Sequence, residues 1–275
     1  MSAPADRDWL RTDIGHSTSD SITLRGHDVA ELMGQMSFSD VAFLVASGRR
    51  PTGAESRLFN AVLISLADHG LTPIALAARL TYTGAPEALQ GAVAAGLLGG
   101  GSVFLGPVED TARFLDDVLA RVPDERATSE DELQAAATEA VDQALSAGHR
   151  IPGLGHPIHK VTDPRTPRLY ELADETGLAG PHLRLLAMVA TAHRAATGRA
   201  LPINGAGAAG AVLADLGFAP FLARGFALVA RTAGLIGHLA EEAERPIGMR
   251  LWKEVETRAS AAVVEDSPAE PEGHE

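Results

Sequence analysis

The sequence predicts an all-α protein, and three observations carry that reading. Of the 275 residues, 45% are hydrophobic but only 4% are aromatic, so Ala, Leu and Val must build the core. Ala and Leu favour helix. Apolar residues recur at helical spacing in segment after segment, and Gly or Pro closes most of them. Alternating β-branched runs are almost absent, which excludes a parallel-sheet nucleotide fold. The length suffices for one large core or two closely packed ones.

The elements follow in chain order. Residues 1–20 read as a flexible lead. Ser21 to Arg25 reads as a short strand ending at Gly26. His27 to Met36 places Val29, Leu32 and Met33 on one face. Phe38 to Ser47 does the same with Val41, Phe43 and Leu44, and Gly48 is its C-cap. Glu55 to His69 is an amphipathic helix stopped by Gly70. Pro73 to Tyr82 and Pro86 to Leu98 are short helices, and Gly99, Gly100 and Gly101 break the chain after them. Thr111 to Ala120 is helical, and Pro123 to Thr128 is a polar connector. Ser129 with Glu132 forms a capping-box pattern before Leu133 to Ala147. Ile151 to Pro167 is a loop dense in Gly, Pro and His. Helices are predicted over Pro167 to Thr176, His182 to Thr197 and Gly207 to Leu216. Phe221 to Ala243 is long and apolar, with Gly234 and Gly237 permitting close helix contact.

The formal net charge of −13 excludes a broad nucleic-acid surface, which needs clustered Lys and Arg. Part of the charge is local. Glu265, Asp266, Glu270, Glu272 and Glu275, with Pro268 and Pro271 between them, read as a disordered, solubilising tail. The absence of cysteine excludes disulfides, thiol catalysis and cysteine metal sites, and fits a cytoplasmic setting. No apolar run reaches the roughly 18–20 residues of a membrane span, so no membrane role is expected. Met1 to Asp20 lacks the basic and apolar regions of a secretory signal.

Three segments set polar groups among small apolar residues: Ala67-Asp68-His69-Gly70, Gly153 to Lys160 with Asp163-Pro164-Arg165, and Arg231 to Arg250 with His238 and Arg245. Histidine works as acid, base or donor near neutral pH. Arginine forks bind carboxylates in bidentate fashion. Together these residues suit a small polycarboxylate. Taken singly, each has a plainer reading: His69 a helix-terminal histidine favoured by the dipole, His156 a turn residue, His238 a packed helix residue. No His-x-x-x-His pair or carboxylate cluster argues for a metal. Gly153-x-Gly155 lacks the preceding strand and following Lys-Ser or Lys-Thr of a phosphate loop.

The order of these segments resembles the citrate synthase superfamily, and most of all its short citryl-CoA lyase branch, which is related to the C-terminal module of ATP citrate lyase. Leu24 to Asp28, then Ser37 to Leu44 with Gly48 and Pro51, resembles the family's entry motif. Ala67 to Gly70 resembles its Ala-Asp-His-Gly segment. Gly155-His156, Lys160 and Asp163-Pro164-Arg165 resemble its Gly-His loop and Asp-Pro-Arg element. Arg231, Gly234, Gly237 and His238 resemble its Arg-x-x-Gly-x-x-Ala-His helix, and Arg245-Pro246 its late Arg-Pro. The match runs from about residue 21 to 252.

The resemblance implies a homodimer of helical chains with a large domain (21–106 and 219–258), a small CoA-binding domain (107–218), a cleft between them and flexible termini (1–20 and 259–275). It implies that His69, His156, Arg165, Arg245 and Asn204 bind the di- or tricarboxylate. His69 and His156 would be catalytic. Leu154, Gly155, Ile158 and Lys160 would bind coenzyme A, with no metal. Two departures stand out. Where the family's first catalytic histidine lies in Gly-Pro-Leu-His-Gly-Gly, this chain has Gly106-Pro107-Val108-Glu109-Asp110, so Glu109 or a neighbour takes that place, with Glu109 the catalytic candidate. Where the family has its catalytic aspartate, Leu201 to Gly207 aligns Ala206. Pro157 also replaces the Arg after the loop histidine.

Condensation needs a base on the acetyl methyl, whereas cleavage needs one on the tertiary hydroxyl. Loss of a positioned base costs roughly 10²–10⁴-fold, so Ala206 harms synthesis more than cleavage. The expected activity is cleavage of a (3S)-citryl-CoA-type thioester to acetyl-CoA and oxaloacetate or a related keto-acid. The alternatives are a citrate or methylcitrate synthase-like condensing enzyme, or a catalytically impaired CoA- or carboxylate-binding homologue.

Overall fold

The computed structural model describes residues 11–122 and 129–265. Three short strands, β1 (Gly15–Ser17), β2 (Ile22–Leu24) and β3 (His27–Asp28), form an antiparallel sheet in that order. Gly15 pairs with Leu24, and Leu24 with His27. Arg25 and Gly26 both have positive φ, 48° and 78°, so they make the primed turn that matches strand twist. The Arg25 guanidinium then donates twice to the Val45 carbonyl, at 2.9 and 2.7 Å. Residues 15–17 are therefore part of a sheet rather than of a flexible lead, because β2 supplies the partner that sequence periodicity does not show.

Twelve helices follow among the described residues: α1 (Val29–Leu32), α2 (Phe38–Ser47), α3 (Gly53–Ala67), α4 (Pro73–Gly84), α5 (Leu89–Phe104), α6 (Gly106–Leu119), α7 (Glu130–Ser146), α8 (Arg165–Thr176), α9 (Pro181–Thr197), α10 (Gly205–Asp215), α11 (Pro220–Glu244) and α12 (Gly248–Glu265). The sequence reading has no counterpart to α12, although Met249, Trp252 and Val255 recur there at helical spacing among charged neighbours; the helix also runs through 259–265, within the expected flexible terminus. The connector Pro123 to Thr128 and the acidic tail from Asp266 onward lie outside the described residues. Ser129 is the N-cap of α7 but makes no capping hydrogen bond through its side chain.

The chain divides into two compact units, Met1–Leu66 with Leu105–Ala227 and Ala67–Phe104 with Leu228–Glu275. This differs from the expected split. Residues up to Leu66 pack with the 105–227 part, and the reason is aromatic. Phe43 of α2 and Phe59 of α3 meet Phe218 and Phe226 with ring centroids 4.7 to 5.8 Å apart. Buried Phe side chains contribute about 1.5–3 kcal/mol each.

In the first unit, α10 is buried along its length except at Ala206 and at its last residue, Asp215. Its small residues let it touch α6, α8 and α9. A Cβ on Gly210 would lie 2.3 Å from the Val108 carbonyl. α9 starts at Gly180, which carries no capping side chain. Asp215, at the end of α10, caps it instead and accepts from the amides of Gly180, His182 and Leu183. The His182 ring then joins Asp215 through Nδ1 and Asp116 of α6 through Nε2, each at 2.8 Å.

In the second unit, α4 packs on α5 and α12. Helix continues through Gly99 and Gly100 and departs from helical geometry only at Gly101 (φ 46°, ψ −151°). The glycines here serve close packing: a Cβ on Gly96 would lie 2.8 Å from Leu235, and one on Gly99 3.0 Å from Ala77. Because glycine is not polar, the apolar run does not end there. Leu89–Leu119 is long and apolar enough to cross a membrane by length and composition, which corrects the reading of no such run. The stretch holds two helices, and α6 places Glu109, Asp110, Arg113, Asp116 and Asp117 along it.

Candidate functional site

Chemistry-bearing residues gather in two places, one in each unit. In the first unit the loop before α8 is pinned to the segment before α10. Gly155 N–H donates to the Pro202 carbonyl at 2.7 Å and Asn204 N–H to the Gly153 carbonyl at 2.9 Å, and Leu154 bridges Ile203. At the closest approach, Gly153 against Gly207, both residues are glycine. A Cβ on Gly207 would lie 2.5 Å from the Gly153 Cα. Asn204 completes the join. Its Oδ1 caps α10 at the Gly207 amide, and its Nδ2 donates to the Gly155 carbonyl, both at 2.8 Å. Asn204 is buried, and both ends of its amide hold backbone, so it shapes the loop.

That loop presents His156. Its Nδ1 accepts from the amides of Ile158 and His159, at 3.1 and 3.0 Å. Two amide donors require a lone pair at Nδ1, so the neutral ring carries its proton on Nε2. His156 is thereby set as a donor to a carbonyl or alkoxide oxygen. The His159 ring lies beside it, centroids 4.5 Å apart. Lys160 Nζ donates to the His156 carbonyl at 3.1 Å, and Ile158 is exposed.

Arg165 opens α8 with Asp163 beneath it. Asp163 is fully buried and accepts from Arg165 Nε at 2.9 Å, Arg165 Nη2 at 2.7 Å and the amides of Arg165 and Gly205. Burial alone would raise this carboxyl; the guanidinium and the two amides outweigh it and hold it well below the ordinary carboxylate range. Nη1 of Arg165 reaches the Ser65 carbonyl at 3.2 Å. The fork is thus largely engaged, with one η1 and one η2 hydrogen left for a ligand. Gly205 has to be glycine, since a Cβ there would lie 2.3 Å from Arg165 Nε. Glu109, on the first turn of α6, is paired with Arg113 at 2.6 Å and faces Arg224 at 3.8 Å.

In the second unit, His69 stands half-buried on the turn after α3. Asp68 caps that turn through Oδ2 to the Gly70 amide at 2.7 Å, and its Oδ1 meets His238 Nε2 at 2.9 Å. Burial raises the Asp68 carboxyl, but the Gly70 amide and His238 outweigh it and bring it below its usual range. Arg245 is exposed and pairs with Glu241 at 2.9 Å, one helical turn back. Arg79, outside all three polar segments of the sequence, is buried in α4 and joins His238, Glu241 and Glu242. Its signal is a lone charge inside the apolar run Ile74 to Leu80.

The family described as "Citrate synthase, C-terminal domain" matches residues 48–253. A curated relative, citrate synthase of Haloferax volcanii, is 26% identical over 160 residues, which are 58% of this chain and 39% of the relative. The chain thus spans about two fifths of that relative's length. Citryl-CoA lyase from Hydrogenobacter thermophilus is 33% identical with a TM-score of 0.75, over 84% of this chain and 86% of that one. An Asp-to-Ala variant of Methanosaeta concilii ATP citrate lyase in complex with (3S)-citryl-CoA is 22% identical with a TM-score of 0.71, over 89% of this chain and 40% of that one. The last likeness speaks to the fold alone.

Proposed function

Because the chain belongs to the citrate synthase family, we propose that it cleaves a (3S)-citryl-CoA-type thioester to acetyl-CoA and oxaloacetate or a related keto-acid. The observation that supports this most is the likeness to citryl-CoA lyase, at 33% identity over most of both chains. In this reading His156, donating from Nε2, steadies the oxygen that becomes the keto-acid carbonyl. His69, Arg165 and Arg245 hold the carboxylates. Glu109, in place of the family's first catalytic histidine, takes the hydroxyl proton, oriented by Arg113. The carbon–carbon bond then breaks, and the departing enolate of acetyl-CoA is protonated by solvent. Leu154, Gly155, Ile158 and Lys160 border the CoA chain. The exposed Ile158 and Val161 offer apolar surface, and Lys160 a cation for a phosphate.

Ala206 also favours a second reading. A chain without the family's catalytic carboxylate keeps the machinery to bind CoA and a polycarboxylate even where turnover is lost. We further propose a homodimer in a reducing, cytoplasmic setting. Leu98, Val103 and Phe104 of α5 and Trp252 and Val255 of α12 are exposed in the single chain, a load of apolar surface that fits a partner face.

The test is incubation of the purified chain with (3S)-citryl-CoA, followed by chromatography of the thioesters and enzymatic detection of oxaloacetate. Equimolar acetyl-CoA and oxaloacetate above the buffer blank are expected. Binding without products would overturn cleavage and leave the binding reading. Neither binding nor products would overturn both.

A further inference from the structure

We infer that Arg79 and His238 form a positioning relay that fixes the turn presenting His69. The inference rests on the proposed role of His69 in holding the substrate.

Arg79 is 2% exposed. Its Nη1 donates to Glu242 Oε2 at 3.0 Å, its Nη2 to Glu241, and its Nε and Nη2 both point at His238 Nδ1, at 3.2 and 3.0 Å. Glu242 is also 2% exposed and is held by the amides of Ile247 and Gly248, at 2.9 and 2.7 Å. The guanidinium therefore cannot turn away. It has donors only, so Nδ1 of His238 must supply a lone pair. The ring is neutral, and its one proton sits on Nε2. That proton goes to Asp68 Oδ1 at 2.9 Å, and the other carboxylate oxygen holds the Gly70 amide. Gly70 has φ +75°, the left-handed turn that sets the direction of His69. The backbones are pressed together at the same point: a Cβ on Gly234 of α11 would lie 2.2 Å from the Ala67 carbonyl. The order of control runs from Glu242 to Arg79, His238, Asp68 and the His69 turn. Arg79 and His238 act through other groups.

Two variants at one position test this. The oxygen and nitrogen of a glutamine amide are spaced like the two ring nitrogens, so His238→Gln accepts from Arg79 and donates to Asp68. His238→Leu does neither. The KM for (3S)-citryl-CoA is expected to rise about tenfold in His238→Leu, the size of one lost hydrogen bond. It should stay within about threefold of wild type in His238→Gln. The kcat and the dissociation constant for CoA alone should move little in either. Nitrogen-15 NMR of labelled histidines should show His238 unprotonated at Nδ1 and protonated at Nε2. The His69 ring resonance should shift in His238→Leu and not in His238→Gln. Equal KM values in all three proteins, or a His238 ring protonated at Nδ1, would overturn the relay. If wild type cleaves nothing, the proposed function falls separately. The relay then stands or falls on the His238 tautomer and the His69 resonance.

Discussion

Asp163→Asn changes one atom of a fully buried group and should cost several kcal/mol. Oδ1 accepts from the Arg165 amide and Nε, at 3.1 and 2.9 Å, and Oδ2 from Arg165 Nη2 and the Gly205 amide, both at 2.7 Å. Asparagine keeps one oxygen with two lone pairs, enough for two of these four donors. The other two then face an NH2 group. A buried donor left without an acceptor costs about 1–3 kcal/mol. Arg165 is partly open to water, which trims its share, so the total is about 3–4 kcal/mol. With an unfolding entropy of about 2.1 cal/mol/K per residue over 275 residues, Tm falls by about 5–7 °C. Thermal unfolding followed by circular dichroism at neutral pH reads this directly. The pH dependence has a fixed sign. A carboxyl depressed in the folded state contributes its full stability above the unfolded pKa of about 4 and loses it only as pH falls through the folded value. The gap between wild type and variant should therefore be constant from about pH 5 to 8 and shrink only in acid. A Tm difference under about 1 °C, or a gap that closes before pH falls to about 5, would refute the account of this carboxylate.

The other predictions concern the remaining histidines, Ala206 and assembly. Burial lowers the His182 pKa, but Asp215 and Asp116 outweigh it and hold it above 6.5. Its contribution is complete below the unfolded value and fades as pH rises through the folded one, so His182→Ala should lose more Tm near about pH 6 than near about pH 9. An equal loss at both would show that the ring works unprotonated. His156→Ala should slow citryl-CoA cleavage by about 10²-fold or more with Tm nearly unchanged; full activity would remove His156 from the chemistry. Ala206→Asp should let the protein exchange the methyl protons of acetyl-CoA with deuterated water when a keto-acid is present, read as mass gain over hours. Rapid exchange by wild type would show that another group already supplies the base. Light scattering at micromolar concentration should give twice the 28.6 kDa chain mass, and a monomer would overturn the dimer.

Much of the helical framework is legible in the sequence because local rules set it. Phe38 to Ser47 has a capping serine, an apolar stripe and a left-handed Gly48, and α2 has those bounds. What escapes is set by distant partners. β1 exists only because β2 lies beside it. α12 does carry apolar residues at helical spacing, Met249, Trp252 and Val255, but they face outward, so no core of this chain marks the helix. At the site, the motif segments give His156, Asp163 and Arg165 by order alone. Their division of labour is not visible there. Asn204 reads as a ligand for substrate but joins two stretches of backbone. Arg79 and His238 are 159 positions apart, and no local pattern links a buried cation to the ring whose proton it places.

The start of α10 has an evolutionary consequence. Gly205 lies against Arg165 and Gly207 against Gly153, and neither has room for a side chain. Ala206, between them, is partly open. Mutation at this turn is therefore filtered unevenly. Changes at the glycines are purged for their effect on folding, while the intervening position drifts at little cost to stability. Over generations such a position can lose an acidic group and later regain one without the chain ever ceasing to fold. Catalytic repertoire can in this way vary on a scaffold whose shape is frozen on either side, and a library randomised at residue 206 alone is a short route to altered chemistry.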